Sequence, residues 1–432
     1  MVAIKSAFRT LLLVALAGYA VLAQQAPAAR PVAPVAGVST DRLERLHRGM
    51  QGFVDRKEVG GIVTLVARDG QTVDVHASGF QDVESRTPMR TDSMFRIASM
   101  TKPVTSVALM MLYEEGKLLL TDPVSKFIPA FKSSRVLDGA DAAAAPVPAR
   151  RSINLRDLLS HRSGLTYGFL NGGAVGSGYR KNGVIDGLTT TTMTLAEAID
   201  KLAAEPLISQ PGAAWNYSLS TDVLSRVVEV ASGQPFQEFL RERIFKPLKM
   251  ADTDFVVPEA KWSRMTTVYS PDGAGGIRPM KDPESFGNTH MSPVASYQAP
   301  KTYYSGGAGL VSTARDYARF AQMLLNGGTL DGVRLLGPKT IELMTMSHTT
   351  DIQTGGLLGN GAGFGLGFRV VTDVGATQTS GSAGLYGWSG IYGTVFWVDP
   401  KERLVAIMMV QRYPGSPVAA AFQPLVYQAL VK

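Results

Sequence analysis

Phe95-Arg96-Ile97-Ala98-Ser99-Met100-Thr101-Lys102-Pro103-Val104 leads into a long apolar run that continues to Leu112. On a helix, Ser99 and Lys102 fall on one face, one turn apart. A lysine whose charged form is disfavoured by burial can activate a serine hydroxyl without histidine. Pro103 limits where regular hydrogen bonding begins, which keeps the pair in or near the first turn. Unpaired N–H groups and the positive helix end there favour an alkoxide and an oxyanion. The same two residues also fit a helix-capping serine and a solvated lysine, so this stretch alone leaves both readings open.

Two downstream stretches bear on the choice. Trp215-Asn216-Tyr217-Ser218-Leu219-Ser220 puts Tyr217 just before a helix. A phenol near an ammonium relays a proton to a leaving group, although a half-buried structural tyrosine reads the same in isolation. Gly387-Trp388-Ser389-Gly390-Ile391 enters a strand expected to begin near Gly393. A glycine-flanked strand lets a substrate lie against backbone N–H groups; a bulge or turn is the plainer alternative.

Taken in order, these pieces resemble the penicillin-recognising serine hydrolases, in particular the class C β-lactamase-like branch that includes family VIII carboxylesterases. Ser99-Met100-Thr101-Lys102 is similar to the nucleophile motif and Tyr217-Ser218-Leu219 to the tyrosine motif. Trp388-Ser389-Gly390 falls where the family has Lys-Thr-Gly or, in esterases, a Trp-Gly-Gly-like variant. Leu158 to Leu165 resembles the family's Leu-Leu-Thr-His-Thr-Ser-Gly-Leu segment, and Gly306 to Thr313 another shared stretch, read as structural. The resemblance runs from about Asp41 to the end and is specific through order and spacing.

It implies that Ser99 attacks an acyl carbonyl while Lys102 takes its proton. Tyr217 would serve the leaving group and later water, and the N–H groups of Ser99 and Ile391 would hold the oxyanion. Trp388, Ser389, Gly390 and Leu219 would contact substrate, with no cofactor and no metal. Trp388 stands where relatives that bind a substrate carboxylate have lysine, and Leu219 replaces the asparagine of Tyr-x-Asn. Losing a charge-assisted contact costs about 1.5–3 kcal/mol, tenfold or more in recognition. Hydrolysis of a carboxylic ester is therefore expected. A β-lactamase, DD-peptidase or amidase with the same acyl-serine chemistry is the alternative, and a non-catalytic cell-wall-peptide-binding protein the second.

Other chemistries find less support. No Gly-x-Ser-x-Gly pentapeptide of a lipase-type elbow occurs. The five histidines His47, His76, His161, His290 and His348 lie far apart without paired ligand spacing, against a metallo-hydrolase. His161 reads as a structural hydrogen-bonding residue. Absence of cysteine removes disulfides, thiol nucleophiles, thiolate metal sites and a lipoprotein anchor.

Lys5, Arg9, the apolar Leu11 to Ala23 and the small residues before Gln24 read as a cleavable signal peptide over 1–23. Periplasmic or secreted localisation without a stable membrane anchor follows. Residues 24–38, rich in Ala and Pro, read as a flexible leader. Loss of Lys5 and Arg9 lowers the net charge from +7 to +5, and the scattered basic residues argue against a nucleic-acid partner. The expected partner is a small-molecule ester or amide.

Asp41 and Glu44 suggest a capping pair on a helix whose buried face is Leu43, Leu46, Met50 and Phe53. Gly61–Ala67 and Gln71–Ala77 read as a hairpin turning at Asp69-Gly70, mirrored by Gly393–Val398 and Leu404–Gln411 near the other end. Between them the pattern is mainly helical, with long loops at Asp138–Pro148 and Gly164–Gly187, the latter a candidate flap. The expected fold is α/β (α+β), of the β-lactamase/transpeptidase type: an antiparallel sheet from both chain ends, flanked by helices, with a mainly helical subdomain inserted. The hydrolase domain spans 39–432, its sheet part about 39–95 and 305–432 and its helical part about 99–304.

Overall fold

Leu404–Val410 is apolar at every position and buried at every position, because both faces of the strand are covered. Leu404, Ala406, Met408 and Val410 pack in one apolar cluster, while Val405, Ile407 and Met409 pack in another. This strand is β8 of a sheet seen in a computed structural model that describes residues 35–137, 145–352, 356–415 and 417–431. The other strands are β1 (Gly61–Arg68), β2 (Gln71–Asp82), β3 (Thr87–Pro88), β4 (Ala362–Phe364), β5 (Arg369–Val371), β6 (Tyr386–Ser389) and β7 (Val395–Asp399). Their order is β4-β5-β6-β7-β8-β1-β2-β3, antiparallel throughout. Both chain ends thus meet at β1 and β8, where Ile62 faces Val410 and Arg68 faces Leu404.

The β1–β2 turn forms as its sequence suggests. Asp69 (φ 52°) and Gly70 (φ 77°) both take the left-handed backbone that a two-residue hairpin of this twist needs. One sheet face carries the terminal helices α1 (Thr40–Asp55) and, last in the chain, α5 (Val418–Tyr427). The other face meets α4 (Ala314–Leu325) and the core that runs on to the helices α2 (Thr101–Glu114) and α3 (Ser220–Ser232). α2 is buried at every residue from Thr101 to Leu112, as an apolar helix must be when neighbours surround it.

Several expectations need correction. α1 starts at Thr40, and Ser39 at its N-cap makes no side-chain capping bond, so Asp41 and Glu44 are not a capping pair. Asp41 already lies inside the first turn, and Glu44 sits 3.5 Å from His47. The Trp388 stretch is a strand in its own right, β6, and β7 begins only at Val395. Between them Gly390 N–H bonds Thr394 C=O at 2.8 Å in a turn that has Gly393 at φ 93°. The Gly164–Gly187 stretch contains a helix, Ala174–Lys181. His47 and His76, far apart in sequence, stack with ring centroids 3.8 Å apart because α1 lies on β2. Among the described residues no group of three or more His, Asp or Glu is placed to hold a metal.

The signal peptide over 1–23, most of the leader and residues 138–144 of the Ala/Pro loop lie outside the described residues. The leader's last residues are packed: Val38 is buried and bridges Leu430. Among the described residues no helix is long and apolar enough to cross a membrane.

Ile407 is fully buried at the centre of β8. Ile407→Ala should lower unfolding stability by about 2–5 kcal/mol in chemical denaturation, through lost burial and a residual cavity. A loss below about 0.5 kcal/mol, the range of surface substitutions, would contradict this packing.

Candidate active site

The segment before α2 is held rigidly from outside. Phe95 and Arg96 pair antiparallel with Ser312 and Val311, and Ile97 N–H bonds Leu310 C=O at 3.0 Å. The Arg96 guanidinium is buried, donating to the carbonyls of Pro293 and Thr266, while Gln411 Nε2 donates to Arg96 C=O at 3.0 Å. Ala98 is forced to φ 41°, a left-handed backbone that costs a non-glycine residue free energy, immediately before Ser99. A short 3₁₀ turn, Ala98–Met100, then runs into α2.

That geometry brings Lys102 Nζ to 3.2 Å from Ser99 Oγ. The lysine is 1 % exposed and its remaining contacts come from distant chain: Tyr167 OH at 2.9 Å and Gly307 C=O at 2.7 Å. Nζ also lies 4.6 Å from the Tyr217 ring centroid and 5.3 Å from that of Tyr167. The Gly306–Thr313 stretch, read from sequence as structural, therefore supplies a direct partner to the lysine. A Cβ on Gly307 would sit 2.3 Å from Asp222 Oδ2, so only glycine lets this carbonyl pass so close to the aspartate.

Asp222 is fully buried on α3, where it accepts from Tyr303 OH at 2.8 Å and Ser305 Oγ at 2.6 Å. Burial raises its carboxyl above the ordinary carboxylate range; the Ser305 hydroxyl and the Lys102 charge pull the other way. Burial likewise pushes the Tyr167 phenol well up, so it stays protonated and accepts from the lysine.

Tyr217 is braced on two sides. The Trp388 indole N–H on β6 donates to its hydroxyl at 3.3 Å. The His161 ring lies 4.9 Å away, with its Nδ1 3.1 Å from Ser218 Oγ in a chain through Ser220 to Ser163. His161 thus serves as a hydrogen-bonding residue of the scaffold, and burial, reinforced by the Lys102 charge, holds it well below the ordinary imidazole value.

β6 ends directly against the turn before Ser99. A Cβ on Gly390 would fall 2.4 Å from both Ile97 C=O and Thr394 Oγ1. Close approach of the strand to the turn before Ser99 therefore requires glycine. A cavity of about 360 Å³ opens here, with Ser99, Tyr217, Trp388, Ser389, Gly390 and Ile391 all in its wall. The Ile391 N–H makes no backbone hydrogen bond among the described residues.

Leu219 departs from its expected place. It is buried in the main core at the N-cap of α3 and is not part of the cavity wall. Only Tyr217 of that motif reaches the cavity, because the chain turns into the helix immediately after it. Conversely, Tyr167, Phe169, Asp186, Leu188, Thr289 and Tyr413 line the cavity without any sequence signal that marked them. The one available hint for the first three was that the glycine-rich stretch from 164 to 187 lay beside a recognised segment; Leu188 falls just past its end.

Residues 46–429 match the family described as Beta-lactamase. Protein Rv1367c of Mycobacterium tuberculosis (strain H37Rv) is 36 % identical over 391 residues, covering 88 % of this chain and 92 % of that protein. Esterase EstB of Burkholderia gladioli is 32 % identical over 388 residues, covering 87 % and 93 %. Among solved structures, EstCE1, described as a hydrolase with promiscuous acyltransferase activity, superposes with a TM-score of 0.78 at 29 % identity. The likeness covers 89 % of this chain and 98 % of that one.

Gly390→Ala should cost about 1–3 kcal/mol, the range for overpacking, and lower the melting temperature measurably; an unchanged melt would contradict the close approach. His161 gives a pH signature. Its folded value lies well below 6.5, so as pH falls below about 6.5 the unfolded chain takes up a proton that the folded one does not. Stability must drop on that side, and His161→Gln should flatten the decline between about pH 7 and pH 5. Parallel declines in denaturation curves of the two proteins would contradict the assignment.

Proposed function

Because the chain belongs to the Beta-lactamase family and is a serine hydrolase, we propose that it cleaves a carboxylic ester through an acyl-serine intermediate. Ser99 is the nucleophile. Lys102 Nζ stands within hydrogen-bond reach of Ser99 Oγ, with Gly307 C=O and Tyr167 OH fixing its position, so it is placed to take the hydroxyl proton. The amine accepts that proton as Oγ attacks the acyl carbon. The resulting ammonium lies over the Tyr217 ring, and Tyr217 passes a proton to the departing alkoxide. In the second half water attacks the acyl-serine with the same groups acting in reverse. The N–H groups of Ser99 and Ile391 hold the oxyanion in both halves.

The observation that carries the choice of ester is the cavity wall. Trp388 occupies the position beside Tyr217, and none of the described side chains lining the cavity is lysine or arginine. A substrate carboxylate entering it would give up its hydration without a cationic partner in the wall, which is unfavourable. A neutral ester loses far less, and about 360 Å³ is in the range of small-molecule sites. Similarity to an esterase over most of both chains supports the same reading.

Hydrolysis of a short-chain p-nitrophenyl ester should exceed that of nitrocefin, and Ser99→Ala should abolish ester turnover. Residual turnover in Ser99→Ala at wild-type rate would overturn the mechanism, and fast nitrocefin turnover with slow ester cleavage would overturn the substrate. Trp388→Lys should shift the ratio of the two substrates toward nitrocefin by about tenfold, the worth of one charge-assisted contact.

A further inference from the structure

One part of the cavity wall goes beyond what a neutral ester requires. Leu188 packs there with Tyr392, and Phe169, Ile391 and Tyr413 pack around them. Asp186 stands in this wall, half-buried. Its Oδ1 accepts from the Leu188 N–H at 3.0 Å, and among the described residues no lysine or arginine shares the wall. Burial pushes this carboxyl up to about 6, the Leu188 N–H opposing; Asp222 adds to the rise and His290 works against it. The phenols of Tyr167, Tyr303 and Tyr392 also feel its charge. A carboxylate in apolar surroundings without a cation is unfavourable unless a ligand supplies one.

The aromatic lining points the same way. Rings of Phe169, Trp388 and Tyr413 join Asp186 in the wall, and aromatic faces with a carboxylate are the chemistry that recognises substituted ammonium groups. The Tyr167 and Tyr217 rings already face Lys102, so a ligand cation belongs on the Phe169–Tyr413 side, near Asp186. We infer that Asp186 is a specificity-determining residue that selects esters carrying an ammonium group. This deepens, and rests on, the reading of the cavity as an ester site.

The test pairs butyrylthiocholine with its uncharged isostere, 3,3-dimethylbutyl thiobutyrate, which differ only in charge. In the wild type, kcat/KM should favour the cationic thioester by about tenfold or more at pH 8. That preference should collapse toward unity as pH is lowered through about 6 and Asp186 takes a proton. Asp186→Asn should remove it at every pH. A preference absent from the wild type, or unchanged in Asp186→Asn, overturns the inference; should that variant not fold, the wild-type pH dependence decides. If neither thioester is cleaved, p-nitrophenyl ester turnover alone decides the ester reading. Calorimetric titration with phenyltrimethylammonium then decides separately: binding to the wild type that Asp186→Asn loses supports the inference, and equal or absent binding overturns it.

Discussion

Burial of the Lys102 amine is the constraint to which the rest of the site conforms. An amine removed from water must have its hydrogen-bonding capacity met locally, and a missing partner costs more than a made one contributes. Here the partners are Ser99 on the same turn, Tyr167 from a glycine-rich segment and the Gly307 carbonyl ahead of α4. Gly307 can reach only because it lacks a Cβ that would strike Asp222. The lysine thus ties together segments some two hundred residues apart in the chain.

Those contacts demand a particular tertiary frame. α2 must be enclosed on all sides for Lys102 to be dry, which needs both the sheet and the helices around α3. The sheet must also deliver β6 to the turn before Ser99, and Gly390 allows that approach. With Arg96 locking the incoming strand and Ala98 held at positive φ, the turn that carries Ser99 has little freedom. The cost of that strained residue is met by the packing around it. α1 and α5 cover the opposite sheet face and never approach the cavity, so their contribution is to keep β1 and β8 buried.

Parts of this arrangement were legible in the sequence, and parts were not, for identifiable reasons. The run Leu404–Val410 reads as a strand, and its lack of alternation follows from both faces being covered. β4 and β5 escape notice because they are three residues each amid glycines that erase any period. Leu219 illustrates a limit of motif counting: its position matches, but the start of α3 turns its side chain into the core. Tyr167 illustrates the opposite limit, a bare aromatic residue that becomes a lysine partner across sixty-five residues.

What the sequence by itself determined is what depends on neighbours within a turn or two. The three-residue spacing of Ser99 and Lys102, the Asp69-Gly70 hairpin and the apolar strands from both ends all came from local stereochemistry and periodicity. Only the tertiary structure decided which groups surround Lys102, that Trp388 braces Tyr217, and that Asp186 enters a cavity whose described wall holds no lysine or arginine. The reason is physical. Spacing along the chain constrains side chains that share an element, whereas solvation and hydrogen-bond partners at a buried site are set by whatever distant segments the packing brings there.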